Sequence, residues 1–166
     1  MEPANGTEKQ TRSVVIPKEK AVFWMDGQGR WRNRHGVFAH KGIIDHFNAS
    51  IRKDAGGFFV AQERSGIIEK VYFRFEETAV FAVDVIWKDG IFLCLNTGSQ
   101  TDLVPDKLFV YRDNLFQKDT EYAVKFSERA LMKISPHLKC QGDVFVISCN
   151  GVDHLIKSYD TFPDAT

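Results

Sequence analysis

Apolar and polar residues alternate with a period of two over residues 70–75. Val71, Phe73 and Phe75 fall on one side of a strand and Lys70, Tyr72 and Arg74 on the other. The same alternation, punctuated by turn residues, continues from Phe58 to Tyr111 and predicts half-buried antiparallel sheet. Glu76-Glu77-Thr78 leads into a strand over 80–87, Lys88-Asp89-Gly90 turns it back through 91–96, and Pro105-Asp106 turns the chain again. Further hairpins are predicted about Asp26-Gly27-Gln28-Gly29, Asp113-Asn114 and Asn150-Gly151.

Two stretches change to helical spacing. From about His40, Ile43, Ile44, Phe47 and Ile51 define a first helix that lacks a good N-cap and is stopped by Gly56-Gly57. Asp119 or Thr120 caps a second, with Tyr122, Phe126, Ala130, Leu131 and Ile134 on its buried face and Pro136 ending it. The order hairpin, helix, strand thus occurs over 22–61 and again over 108–149. The expected fold is α+β, two related helix-plus-antiparallel-sheet repeats packed into one compact body. Residues 1–19 read as a flexible polar tail, 20–104 as an N-terminal repeat with the central sheet, and 105–166 as a C-terminal repeat.

Composition narrows the class. The 166 residues suit one globular domain, and 22 basic against 22 acidic residues give nothing global to attract nucleic acid or an anionic membrane. No apolar run approaches the ~20 residues of a membrane span, and the polar start does not read as a secretory signal. Three cysteines in a chain with a good core suit a reducing compartment, so a cytoplasmic protein is expected.

The run Asp26-Gly27-Gln28-Gly29-Arg30-Trp31, then Gly36, the helix through 43–47, Gly57-Phe58-Phe59-Val60 and Leu95-Asn96-Thr97-Gly98 resemble the DUF1285 family of uncharacterised bacterial proteins. The resemblance covers about residues 22–156. It implies two related helix-plus-sheet repeats, no established activity and a suggested role in ligand sensing or signalling. Where the family has a Thr-Pro pair and a Glu-Asp-x-Pro-Phe segment, this chain has Ala61-Gln62-Glu63 and Glu76-Glu77-Thr78-Ala79-Val80-Phe81.

Strand 30–35 places Arg30, Arg32 and Arg34 on one face and Trp31, Asn33 and His35 on the other. The guanidinium face could hold a carboxylate or phosphate; equally, Trp31 could anchor the core while the arginines defend an edge strand. A ligand site is expected where the repeats meet, from Trp31, His35, Arg74, Asn96, Thr97 and Arg112. Asp84, inside an apolar run, needs a partner, for which Arg74 is the candidate.

Neither His35, His40 and His46 nor His137, Cys140, Cys149 and His154 have the close spacing of a metal set, so no metal or cofactor is expected. No nucleophile elbow occurs, and Gly27-x-Gly29 precedes a strand where a dinucleotide loop would open a helix. The function expected is non-enzymatic binding of a small, anionic molecule, with a sensing role and a protein partner or second copy to receive the signal. Two alternatives stand beside it: an enzyme using His35, His40 or Asp84, and an interaction module using an exposed sheet edge.

Overall fold

The structure is a computed structural model and describes residues 12–163. Its first half comprises β1 (Arg12–Ile16), β2 (Phe23–Met25), β3 (Trp31–Asn33), β4 (Gly36–Val37), α1 (Lys41–Ala49), β5 (Ile51–Asp54), β6 (Gly57–Arg64) and β7 (Ile67–Tyr72). Strands β2, β3 and β4 form a small meander, and a second sheet has the order β1-β7-β6-β5. Residues 12–16, part of the segment read as a polar tail, are a strand parallel to β7 with Ile16 opposite Val71. The Val14-Val15-Ile16 patch supplies the β-branched residues for that pairing. The rest of the tail reading, residues 1–11, lies outside the described residues.

The second half comprises β8 (Val80–Trp87), β9 (Ile91–Leu95), β10 (Gln100–Asp102), β11 (Leu108–Tyr111), β12 (Asn114–Lys118), β13 (Ala123–Phe126), α2 (Glu128–Ile134), β14 (Leu138–Gln141), β15 (Val144–Cys149) and β16 (Val152–Tyr159). These strands form one large sheet in the order β10-β9-β8-β13-β12-β11-β16-β15-β14, which draws on residues from both sides of position 104. Two of its joints, β13 to β8 and β11 to β16, are parallel.

This architecture corrects the α+β expectation. With sixteen strands and two α-helices among the described residues, the protein is sheet-dominated, not a pair of helix-plus-antiparallel-sheet repeats. The main error lies at the second helix. Residues 123–126 form β13, held between β8 and β12, and the helix begins only after Ser127, whose Oγ accepts from the Ala130 N–H. Tyr122 and Phe126 stand four apart, which mimics a helical stripe, but Val124, Lys125 and Phe126 are all buried, as in a strand covered on both faces.

The N-terminal elements pack on the large sheet through a shared core. Trp31 is 1% exposed, stands edge-on to Phe23, Phe47 and Phe73, and donates from Nε1 to Asn48 Oδ1 at 2.8 Å. A hydrogen bond from Lys125 Nζ to the Gly27 carbonyl joins the β2–β3 turn to the large sheet. Within the second half, Thr78 Oγ1 donates to the Ala123 carbonyl at 2.7 Å, and Asn96 bridges Ala79 and Phe81. Among the described residues no helix is long and apolar enough to cross a membrane.

Candidate functional site

A charged cleft lies where the β2–β3 turn meets the large sheet. The turn is built around Asp26: Oδ1 accepts from the Gln28 and Arg30 N–H groups, and Oδ2 accepts from Arg30 Nε at 3.0 Å and Arg32 Nε at 2.7 Å. Gly29 has φ +78°, and a Cβ there would stand 2.9 Å from the Phe81 ring. Only glycine allows the turn to lie this close to the sheet. The Gly27 carbonyl, in turn, accepts from Lys125 Nζ at 2.7 Å.

Lys125 is the unusual residue of the site. It is 6% exposed, its ammonium bonds Glu77 Oε2 at 3.2 Å, and it lies over the rings of Phe81 and Phe116. A lysine is seldom buried unless paired, and here one carboxylate, one carbonyl and two aromatic faces receive it. Lysine carries three N–H donors; two are used by Gly27 and Glu77.

The cleft above Lys125 measures about 810 Å³ and runs from Arg30 and Arg32 to Arg112, Asn114 and Arg129. A neighbouring hollow of about 510 Å³ continues along Glu76, Glu77, Tyr111, Arg112 and Phe162. Beyond Glu77 and Phe162, the rings of Phe58, Phe75, Phe109 and Tyr122 wall a smaller pocket of about 190 Å³.

Most of the charges are internally matched. Arg30 and Arg32 pair with Asp26, Lys125 with Glu77, and Arg129 with Asp84. Among the described residues Arg112 and Glu76 form no ion pair. Arg112 lies over the Tyr111 ring at 5.1 Å and opens the β11–β12 turn with φ +47°, followed by Asp113 at φ +60°. Both central positions of this turn are left-handed, where Asn or Gly is the usual choice.

Burial raises the Asp26 pKa, but hydrogen bonds from Arg32, Arg30 and Gln28 and the charge of Arg30 outweigh it and hold the carboxyl below its ordinary 3.8. A carboxyl depressed in the folded state takes up its proton more readily when unfolded. Its stabilisation is therefore complete above the unfolded value and is lost as pH falls through the lower folded value. Asp26→Asn should accordingly be less stable than wild type at neutral pH, and the difference should narrow as pH falls through and below the ordinary carboxyl value of 3.8. Urea unfolding from neutral pH down through that value checks it, and a gap that stays constant would exclude Asp26 as the titrating group.

The residues expected from sequence to line a site are mostly placed elsewhere. Trp31 is in the core, and Asn96 ties the β9–β10 turn to β8. Thr97 lies in that turn, near Ser99. His35 is exposed and accepts from Arg34 Nε at 3.1 Å, while Arg74 is exposed against Trp24. Arg112 lines the cleft, as do Arg30 and Arg32 of the arginine face.

Lys125, Glu76, Glu77, Asn114 and Arg129 were not read from sequence as site residues. Lys125 fell inside the expected helix and Glu76-Glu77 inside an expected turn. The available signal was one lysine in the apolar run Ala123-Val124-Lys125-Phe126.

The remaining candidates have local roles. His40 Nδ1 caps α1 by accepting from the Ile43 N–H at 3.3 Å. Asp84 pairs with Lys133 and with Arg129 on α2, which corrects the expected Arg74 partner. The hydrogen bond from Lys133, then that from the Val85 N–H, lowers its pKa. His137 stacks on Trp87 and His154 meets Asp106. Among the described residues no three His, Cys, Asp or Glu side chains converge as a metal set.

The fold is thus a sheet-dominated one in which a hairpin turn and the connections of a nine-stranded mixed sheet enclose a polar cleft. The chain is similar in structure to a DUF1285 family protein from Silicibacter pomeroyi DSS-3, known from a crystal structure. Their TM-score is 0.60, with 87% of this chain and 84% of that chain covered at 11% identity. The chain is a distant structural relative of that protein, and the likeness is one of fold. No family model and no curated protein matches the sequence.

Proposed function

We propose that the protein binds a small molecule through an anionic group held in the cleft, without a reaction of its own, and that occupancy is the state it passes to a partner. The observation that carries this reading is Arg112. It occupies a left-handed backbone position, and among the described residues it has no carboxylate partner. An L-residue other than Asn or Asp pays roughly 1–2 kcal/mol for that conformation, and the contact over the Tyr111 ring, worth about 0.5–1 kcal/mol at an exposed site, does not offset it in full. A carboxylate or phosphate would give the Arg112 guanidinium the anionic partner that no described residue supplies. Lys125 lines the same cleft, with one donor beyond the two given to Gly27 and Glu77. Such a ligand would tie the β2–β3 turn to the β11–β12 turn, which is the coupling a sensing role needs.

A thermal-shift screen of phosphate- and carboxylate-bearing metabolites tests the reading. A true ligand at about 100 times its Kd stabilises the native state by ~2.7 kcal/mol and raises the Tm. Arg112→Gly relieves the left-handed strain, so it should fold within about 1 kcal/mol of wild type yet lose the rise. An unmoved Tm throughout the screen, or an undiminished rise in Arg112→Gly, would overturn the proposal.

A further inference from the structure

We infer that the ligand is a zwitterion: an α-amino acid with an apolar or aromatic side chain, its carboxylate at Arg112 and its ammonium at Glu76. The inference rests on the binding role proposed above and narrows it to one chemistry. It starts from the charges left over. Once the pairs Asp26 with Arg30 and Arg32, Glu77 with Lys125 and Asp84 with Arg129 are set aside, Arg112 and Glu76 remain on the walls of one hollow. Glu128 also lines the cleft, but it lies in the first turn of α2, where the helix end favours a carboxylate.

Arg112 and Glu76 pair neither with each other nor with another described residue, so each keeps a charge for a third party. A purely anionic ligand would satisfy Arg112 while facing the Glu76 carboxylate, and a cation would meet the reverse mismatch. A molecule carrying both charges is complementary to both walls.

The position of Glu76 is built into the backbone. A Cβ on Gly27 would stand 2.1 Å from Glu76 Oε2 and 2.8 Å from its Cδ, so the carboxylate rests on a bare Cα. The same Gly27 holds Lys125 through its carbonyl. One glycine therefore seats the acid that would receive an ammonium and anchors the buried lysine of the cleft floor. The aromatic pocket meets this hollow at Glu77 and Phe162. Lys53, Lys118 and Glu121 also line it, and its ring-bearing walls, Phe58, Phe75, Phe109 and Tyr122, suit an apolar or aromatic side chain.

Calorimetric titration of the full-length protein with L-phenylalanine, L-leucine, 3-phenylpropionate, phenethylamine and inorganic phosphate separates the possibilities. At least one of the two amino acids should bind. Both 3-phenylpropionate, which lacks the ammonium, and phenethylamine, which lacks the carboxylate, should bind at least about tenfold more weakly. Glu76→Gln should weaken amino-acid binding and tighten that of the deaminated analogue, which no longer faces a carboxylate, so that the preference for the amino acid is lost. Gly27→Ala, which displaces the Glu76 carboxylate, should shift affinity in the same direction, and Arg112→Gly should abolish binding of both.

If 3-phenylpropionate or phosphate binds wild type as tightly as the amino acids, or if Glu76→Gln or Gly27→Ala keeps the preference for them, the zwitterion is excluded and the anion-binding role stands. If no compound carrying a carboxylate or phosphate binds, both are overturned.

Discussion

Lys125→Met should destabilise the protein by about 3–5 kcal/mol, the range for removing one partner of a buried ion pair. The loss has two parts. Glu77, whose side chain is 13% exposed, would keep its charge in a poorly solvated place with no cation beside it. The Gly27 carbonyl would lose the donor that fixes the β2–β3 turn to the sheet. Methionine fills a similar volume and contacts the Phe81 and Phe116 rings well, so packing contributes little to the loss.

The double variant Lys125→Met with Glu77→Leu separates charge from packing. Replacing a whole buried pair with apolar residues is often neutral or stabilising, so the double variant should recover most of what the single one loses. Urea unfolding at neutral pH measures both. A single-variant loss under about 1 kcal/mol, the scale of exposed pairs, would mean that Glu77 and Lys125 are solvated and that the cleft floor is not a dry ion pair.

That lysine also marks where the sequence stopped being readable. Alternation exposed the strands over 70–75 and 91–96, each with a more buried and a more solvated side, whereas 80–87, with Val80, Phe81 and Ala82 all buried, stood out as an apolar run between turn residues. The Asn150-Gly151 turn was legible because both residues take positive φ, at +52° and +74°. The first helix was legible from Ile43, Ile44 and Phe47, but it ends at Ala49, well before Gly56-Gly57, and Ile51, expected on its face, opens β5. Its cap is a histidine ring nitrogen that no capping preference anticipates.

β13 had no such signal. Buried on both faces, it shows no period of two, and its parallel partner β8 lies some forty residues away in the chain. The parallel joint of β11 with β16 is hidden in the same way, because pairing across long loops leaves no local pattern. The nine-stranded sheet follows from these two joints, and with it the sheet-dominated character.

The cleft shares that origin. Its walls come from the β2–β3 turn, the Glu76-Glu77 connection, the β11–β12 turn and β13 with the start of α2, four segments brought together by the parallel β8–β13 joint and by the docking of the β2–β3 turn on Lys125 and Phe81. An argument from residue type could find the arginines at 30, 32 and 112, because exposed guanidinium groups in strands and turns stand out in sequence. It could not find Lys125, because residue type alone places a lysine on the surface. Trp31, His35, Arg74, Asn96 and Thr97 were grouped with Arg112 on the premise of a seam between repeats. Without repeats that premise fails, and each of the five has a local explanation in packing, a turn or an exposed strand end.

Trp31 is the sharpest case, and Trp31→Ala should cost about 3–5 kcal/mol, as for other fully buried aromatic truncations. The indole lies within 6 Å, centroid to centroid, of Phe23, Phe47 and Phe73, so its removal opens a cavity among three rings that come from β2, α1 and the segment after β7. That cavity cannot close easily, because α1 and the meander are held by their own hydrogen bonds. The indole N–H adds a second term: without it Asn48 Oδ1 loses its donor, at about 1–3 kcal/mol for a polar atom left unsatisfied out of water.

Trp31→Phe separates the two terms, since it keeps most of the ring and loses the donor; it should fall between wild type and alanine. The same variant decides what the tryptophan is for. If Trp31 is core, Trp31→Phe lowers the denaturation midpoint while affinity at the cleft stays within twofold, because the cleft is lined from the opposite side of strand β3 by Arg30 and Arg32. A large fall in affinity with unchanged stability would return Trp31 to the ligand and remove the distinction between core and cleft on which the site assignment depends.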